Sequence, residues 1–223
     1  MCAATVAPRD KEPLRARAEL YAPTRLSTKV QRLFFTRTLV TDIIAQQCTL
    51  LVYAAARTSM PLRENALPRV GILGGGHIGC AVAVKLLKSD FPASNIAIST
   101  RQPDRVLKCD ALQSPQHLAL FQAVPRYYDN VRLCKESDVL VLCMPPSQLK
   151  SVSIQIKHAL ALPDCATLVI STLCGATLES LQKACGTRLL VKTRVNVPRL
   201  VGLLDMSHGA IGIAAEELGE SRF

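Results

Sequence analysis

Pro68-Arg69-Val70-Gly71-Ile72-Leu73-Gly74-Gly75-Gly76-His77-Ile78-Gly79 is the stretch that decides the fold. A short apolar run, Val70 to Leu73, leads into Gly74, Gly76 and Gly79 at G-x-G-x-x-G spacing, and a helical pattern opens directly behind it. Strand, glycine turn and helix in that order are the context a dinucleotide fingerprint requires, and the glycines alone would say much less. In such a loop Gly74 permits the tight turn out of the strand. Gly76 lets backbone approach a pyrophosphate, and Gly79 lets the helix pack closely on the sheet. The first helical residues, His77 and Ile78, belong to a helix start whose N–H groups and positive dipole end suit phosphates. His77 is read either as a phosphate donor or as an exposed loop residue. A glycine-rich turn without a ligand is the alternative to the whole motif, and the agreement of strand, spacing and helix speaks against it.

The next apolar run, Asn95 to Ser99, ends in Ser99-Thr100-Arg101. An NAD site usually carries Asp or Glu there, bonded to the ribose 2′-hydroxyl. Two hydroxyls and a guanidinium suit a 2′-phosphate instead, because Arg makes forked, charge-assisted contacts. The expected cofactor is therefore NADP(H), with Arg101 as a solvated loop residue the competing reading. Asp104, after Pro103, reads as a helix cap or first-turn charge.

From Arg69 onward, strands alternate with helical segments, the signature of a parallel sheet covered on both faces. The expected fold class is α/β, a Rossmann-type doubly wound and mostly parallel sheet with an N-terminal helical extension. Strands are expected at 69–73, 95–99, 124–128, 138–144, 167–172 and 188–193, with a last short one at 209–214. In such sheets ligands bind beyond the carboxyl ends of the strands. That edge collects residues 74–79, 99–101, 144–147 (with Met144, Pro145 and Pro146), 173–175 and 194–198.

Upstream, Ser27 is placed to cap a helix running to about Arg57, with Leu33, Phe34, Val40, Ile43, Ile44, Leu51 and Val52 near helical spacing. Its most apolar part holds Asp42, Gln46 and Gln47, so a helix packed on the main domain or on a partner is expected and no membrane span. The division that follows is 1–67 for an extension with one long helix, 68–217 for the nucleotide-binding domain, and 218–223 for a short tail.

The 223 residues are 49% hydrophobic, enough for a core, and carry a net charge of +10. Aromatics are only 4% and no Lys/Arg block is interleaved with them, so a nucleic-acid partner is not expected. Nine cysteines occur, none as C-x-x-C or at zinc spacing, and no metal is expected. Cys80, Cys143 and Cys174 lie in apolar patterns and are expected to be buried. An intracellular, reducing compartment follows. The cytoplasm is favoured; the arginines of the first 25 residues hint at a mitochondrial leader, while Asp10, Glu12 and Glu19 count against one.

Several segments, in order, resemble the pyrroline-5-carboxylate reductase family. They are Val70–Gly79, Ile98–Arg101 with Pro103, Asp138-Val-Leu-Val-Leu-Cys-Met-Pro-Pro146, Ser171–Gly175, and Asn196-Val-Pro198 with Leu200-Val-Gly202. Gly209 to Glu217 is similar to the strand and acidic pair that come next in the family. With its N-terminal segment the whole is more particularly similar to the NADP-dependent oxidoreductase domain-containing proteins. The resemblance implies hydride transfer from NADPH to the C=N carbon of a cyclic imine, the last step of proline biosynthesis. It also implies a homo-oligomer whose dimer forms through a C-terminal helical domain that this chain, ending at Phe223, is expected to lack as a truncated form.

The departures from the family pattern lie at the same edge. Pro145 stands where the family has Lys, and Arg194-Val195 where it has Met-Pro. Proline brings neither charge nor N–H donor. Asn196 is the one candidate for a catalytic role, orienting nicotinamide or substrate, against the alternative that it caps the turn at the strand end. Two functions follow: an NADP(H)-dependent imine reductase, or an NADP(H)-binding but inactive relative acting as a regulatory or partner-binding module. A β-hydroxyacid dehydrogenase of the NAD kind is disfavoured by Ser99-Thr-Arg101.

Overall fold

The computed structural model describes residues 27–57, 67–104, 115–162 and 166–200. The chain divides into two compact units, Met1–Thr38 and Leu39–Phe223. In the first, the Ser27 carbonyl accepts the N–H groups of Val30 and Gln31 at 2.9 Å and opens helix α1 (Thr28–Arg57), close to the expected start. Leu33 and Phe35 are exposed there, and the Phe34 and Phe35 rings meet edge to face.

In the second unit six strands form one parallel sheet in the order β3-β2-β1-β4-β5-β6. They are β1 (Val70–Leu73), β2 (Ile96–Ser99), β3 (Arg126–Tyr127), β4 (Val139–Leu142), β5 (Leu168–Ser171) and β6 (Leu190–Lys192). This is the Rossmann order, and all six expected strands are present in shortened form. The shortest, β3, pairs only with β2 at the sheet edge. Pro125 before it lacks an N–H, and after it Asp129 turns the chain into helix α4 (Asn130–Glu136) by accepting the Arg132 N–H at 2.9 Å. The strand expected at 209–214 lies outside the described residues.

Strand β4 shows how the sequence builds both layers. Val139 and Val141 face one core cluster, Leu140 and Leu142 the other, and all four are buried. A run apolar at every position has no solvent face, so it must be an inner strand roofed on both sides. Helices α4, α5 (Leu149–Leu160) and α6 (Leu178–Cys185) roof one face. On the other, α2 (His77–Lys88) and α3 (Pro115–Gln122) share a cluster with β1 and β2.

The rest of that second face is covered by the later half of α1. Ile44, Ala45, Cys48, Val52 and Ala55 are buried in the same cluster as Val139, Val141 and Ile170. Polar ties fix its position. The Lys85 ammonium lies 3.2 Å from Asp42, and the Tyr53 hydroxyl donates to the Ser89 carbonyl while its ring meets Phe91 edge on. Gln47 pairs with the backbone of Arg194, donating to its carbonyl at 3.1 Å and accepting its N–H at 3.3 Å. By length and composition α1 could cross a membrane. Five residues of its later half, Ile44, Ala45, Cys48, Val52 and Ala55, are buried among sheet residues.

Cys80 and Cys143 are buried as expected, and Cys174 is not. The latter stands past the end of β5, where Gly175 turns the chain at φ +79° and carries the thiol out of the sheet layer into solvent.

Candidate cofactor site

A cleft of about 690 Å³ opens at the carboxyl ends of β1, β2 and β4, where the strand order reverses. Its walls are the glycine loop (Gly74, Gly75, Gly76), the end of β2 (Ser99 to Gln102), Tyr128 and Asn130 after β3, and Cys143 to Pro145 after β4. Gln148, Ser151, Val152 and Gln155 on and before the first two turns of α5 complete it.

The three motif glycines are needed for three different reasons. Gly74 adopts φ +107°, and a Cβ there would lie 2.9 Å from the Cys143 carbonyl carbon and the Met144 nitrogen. At Gly79 a Cβ would stand 2.0 Å from the Gly74 carbonyl oxygen, so the helix presses directly on the turn that precedes it. Gly76 caps α2 at φ −81° without a side-chain bond, and a Cβ there would meet nothing within 4 Å. The missing side chain at Gly76 leaves space on the cleft side of a helix N-terminus, where first-turn N–H groups have no intrahelical acceptor. Those features fit the pyrophosphate of a dinucleotide.

At the end of β2 the expected residues separate. Ser99 is 2% exposed; its carbonyl accepts the Gly74 N–H, and its hydroxyl donates to Asn130 Oδ1 at 2.6 Å. Its proton is thus committed to Asn130 inside the protein. Thr100 closes over Gly75, with its Cβ 3.0 Å from where a Gly75 side chain would begin. Arg101 is exposed and has no hydrogen bond or ion pair among the described residues. It is the one charged residue lining the cleft among the described residues, and it is positive.

Met144 and Pro145 line the cleft, with Met144 buried and Pro145 exposed. Pro146 instead opens the single helical turn 146–148 that leads into α5, and it is not part of the wall. His77, Ile78 and Gly79 form the first turn of α2 behind the loop, also outside the wall; Ile78 packs against the core cluster. Among the described residues, those of the loops after β5 and β6 do not line the cleft either. Asn196 is exposed, and its Oδ1 accepts the Arg199 N–H at 3.1 Å. The structure thus gives Asn196 the capping role, and the catalytic expectation for it finds no support in its geometry.

Cys143 is no nucleophile. Burial pushes its thiol far above the ordinary range, the neighbouring Cys48 adds to the rise, and a hydrogen bond with Thr172 offsets part of it. A thiol so placed stays protonated and inert.

Tyr128, Asn130 and the polar stripe of α5 were missed in the sequence. The stripe had a signal: Gln148, Ser151 and Gln155 recur at intervals of three and four, which sets them on one helix face. Asn130 sits at the first turn after a strand end, where ligand-facing residues collect.

Residues 69–175 match the family model described as NADP oxidoreductase, coenzyme F420-dependent. This segment is thus similar to NADP oxidoreductase domains. A mouse NADP-dependent oxidoreductase domain-containing protein 1 is 35% identical over 98 residues, 44% of this chain and 24% of that protein. The pyrroline-5-carboxylate reductase of Corynebacterium melassecola is 25% identical over 134 residues, 60% of this chain and 46% of the enzyme. Among solved structures, a pyrroline-5-carboxylate reductase from Coxiella burnetii overlays with a TM-score of 0.45 at 25% identity, over 56% of this chain and 43% of that one. The chain spans less than half the length of these curated relatives. The matched segment runs from the residue before β1 to the loop after β5, so it holds the entire cleft wall.

Proposed function

We propose that this chain binds NADP(H) in the cleft at the β1/β4 switch point and serves hydride transfer to a C=N bond, as in pyrroline-5-carboxylate reductase. The observation that carries the reading is the combination at one cleft of Gly76, with an empty Cβ position at the α2 N-terminus, and Arg101, a guanidinium at the end of β2 with no partner among the described residues. The first suits the pyrophosphate and the second a 2′-phosphate. When bound, the nicotinamide supplies the hydride; the protein supplies orientation and electrostatics. Met144 and Pro145 then line the cleft on the β4 side and exclude water there.

A second reading has its own support. No His, Asp, Glu or Lys lines the cleft among the described residues, so these walls offer a cofactor a seat and an imine no acid. In that reading the chain is an NADP(H)-binding relative without turnover, acting as a regulatory or partner-binding module. Titration with NADPH and then NADH tests the binding common to both. Tight NADPH binding, weaker NADH binding, and loss of that preference in Arg101→Ala are expected. A protein that binds neither nucleotide overturns both readings. NADPH oxidation dependent on pyrroline-5-carboxylate then separates reductase from module.

A further inference from the structure

Tyr128 has no assigned role and is the most exposed large aromatic described, at 63%. Its neighbours are fully employed. Tyr127 lies under the Arg132 guanidinium at 4.9 Å and reaches Glu136, while Asp129 caps α4. Tyr128 has no such bond or ring contact among the described residues, yet it lines the cleft. Two residues on, Asn130 carries a side-chain relay. Ser99 donates to Asn130 Oδ1, and Asn130 Nδ2 donates to Gln155 Oε1 at 2.7 Å. In that arrangement the Gln155 amide N–H groups are donors without a partner among the described residues.

An unpartnered aromatic face beside an oriented amide donor is chemistry for a nucleobase: the ring stacks on the base, and the N–H meets a ring nitrogen. We propose that Tyr128 is the stacking platform of a purine subsite at this end of the cleft, with Gln155 as the donor to the base edge. The proposal rests on the NADP(H) reading, since the cofactor's adenine is the purine concerned. It adds that affinity comes from the base as well as from the phosphates, through an aromatic that the glycine fingerprint does not include.

The test uses adenosine 2′,5′-bisphosphate, which carries the base and the 2′-phosphate without the nicotinamide. By calorimetry the wild-type protein is expected to bind it. Tyr128→Ala should weaken that binding about tenfold, the size of a lost base–aromatic stack. Tyr128→Phe, which keeps the ring, should restore it. An exposed side chain makes Tyr128→Ala a mild change for the fold, and equal melting curves serve as the control. Equal affinity of the wild type and Tyr128→Ala overturns the proposal. So does a wild type that binds NADPH but not the bisphosphate, and in that case the NADP(H) reading stands. If NADPH does not bind at all, both fall together.

Discussion

At Gly79 an added methyl would meet the backbone oxygen of Gly74 at 2.0 Å, and neither partner is a flexible side chain. At Gly76 the same methyl meets nothing. Gly79→Ala is therefore expected to cost about 3 kcal/mol of stability through overpacking. Gly76→Ala should cost at most about 1 kcal/mol, the scale of a changed helix cap, while weakening NADPH binding tenfold or more. Urea melts alongside NADPH titrations check the pair, and a Gly76→Ala protein that binds normally would refute the assignment of that space to pyrophosphate. The difference also explains what the sequence discloses. The glycines are legible from their spacing between a strand and a helix, although the atoms that crowd Gly74, on Cys143 and Met144, are distant in sequence. The bond from Ser99 to Asn130 is not legible in the sequence, because Asn130 lies 31 residues away and becomes a neighbour only when β2 and α4 are side by side.

Elements were legible where one physical signal dominates. The buried strands announce themselves as unbroken apolar runs, and the glycine loop as a turn between two periodicities. The ends of strands, the two-residue β3 and the cleft-facing stripe of α5 depend on which neighbour each segment meets, and a single chain read in order does not display that. Helix α1 was legible as a helix packed on the main domain or on a partner, but its pattern alone did not decide between the two. Its two faces make a test. Val52 is fully buried, and Leu50, two positions away, is 70% exposed. Val52→Ala is expected to cost about 2 kcal/mol and Leu50→Ala no more than about 0.5 kcal/mol, read by chemical denaturation in the absence of detergent or lipid. Equal, negligible costs would mean that the later half of α1 is not a layer of the domain.

For the molecule as a whole, the buried thiols couple stability to alkaline pH. Burial raises Cys48 from 9.0 to about 12 and Cys185 to about 11. Below pH 9 both folded and unfolded chains hold these protons and nothing changes. Above it the unfolded chain releases them while the folded one cannot. Stability should then fall with rising pH, on the order of 1 kcal/mol per pH unit for each thiol, until the folded thiols ionise. Denaturation midpoints measured between about pH 8 and about pH 10.5 check this slope, and Cys48→Ala is expected to make it shallower. An unchanged slope in that variant would remove Cys48 from the account. The same later half of α1 that buries Cys48 has a consequence for synthesis. It leaves the ribosome first, yet the surfaces it covers, β4 and β5, follow about a hundred residues later, and Arg194, the residue Gln47 grips, follows 147 residues later. At common elongation rates that interval is on the order of ten seconds. Throughout it, Ile44, Ala45, Val52 and Ala55 lack β4 and β5 to lie on, so the nascent chain presents chaperones with an apolar helix before the full sheet that covers it exists.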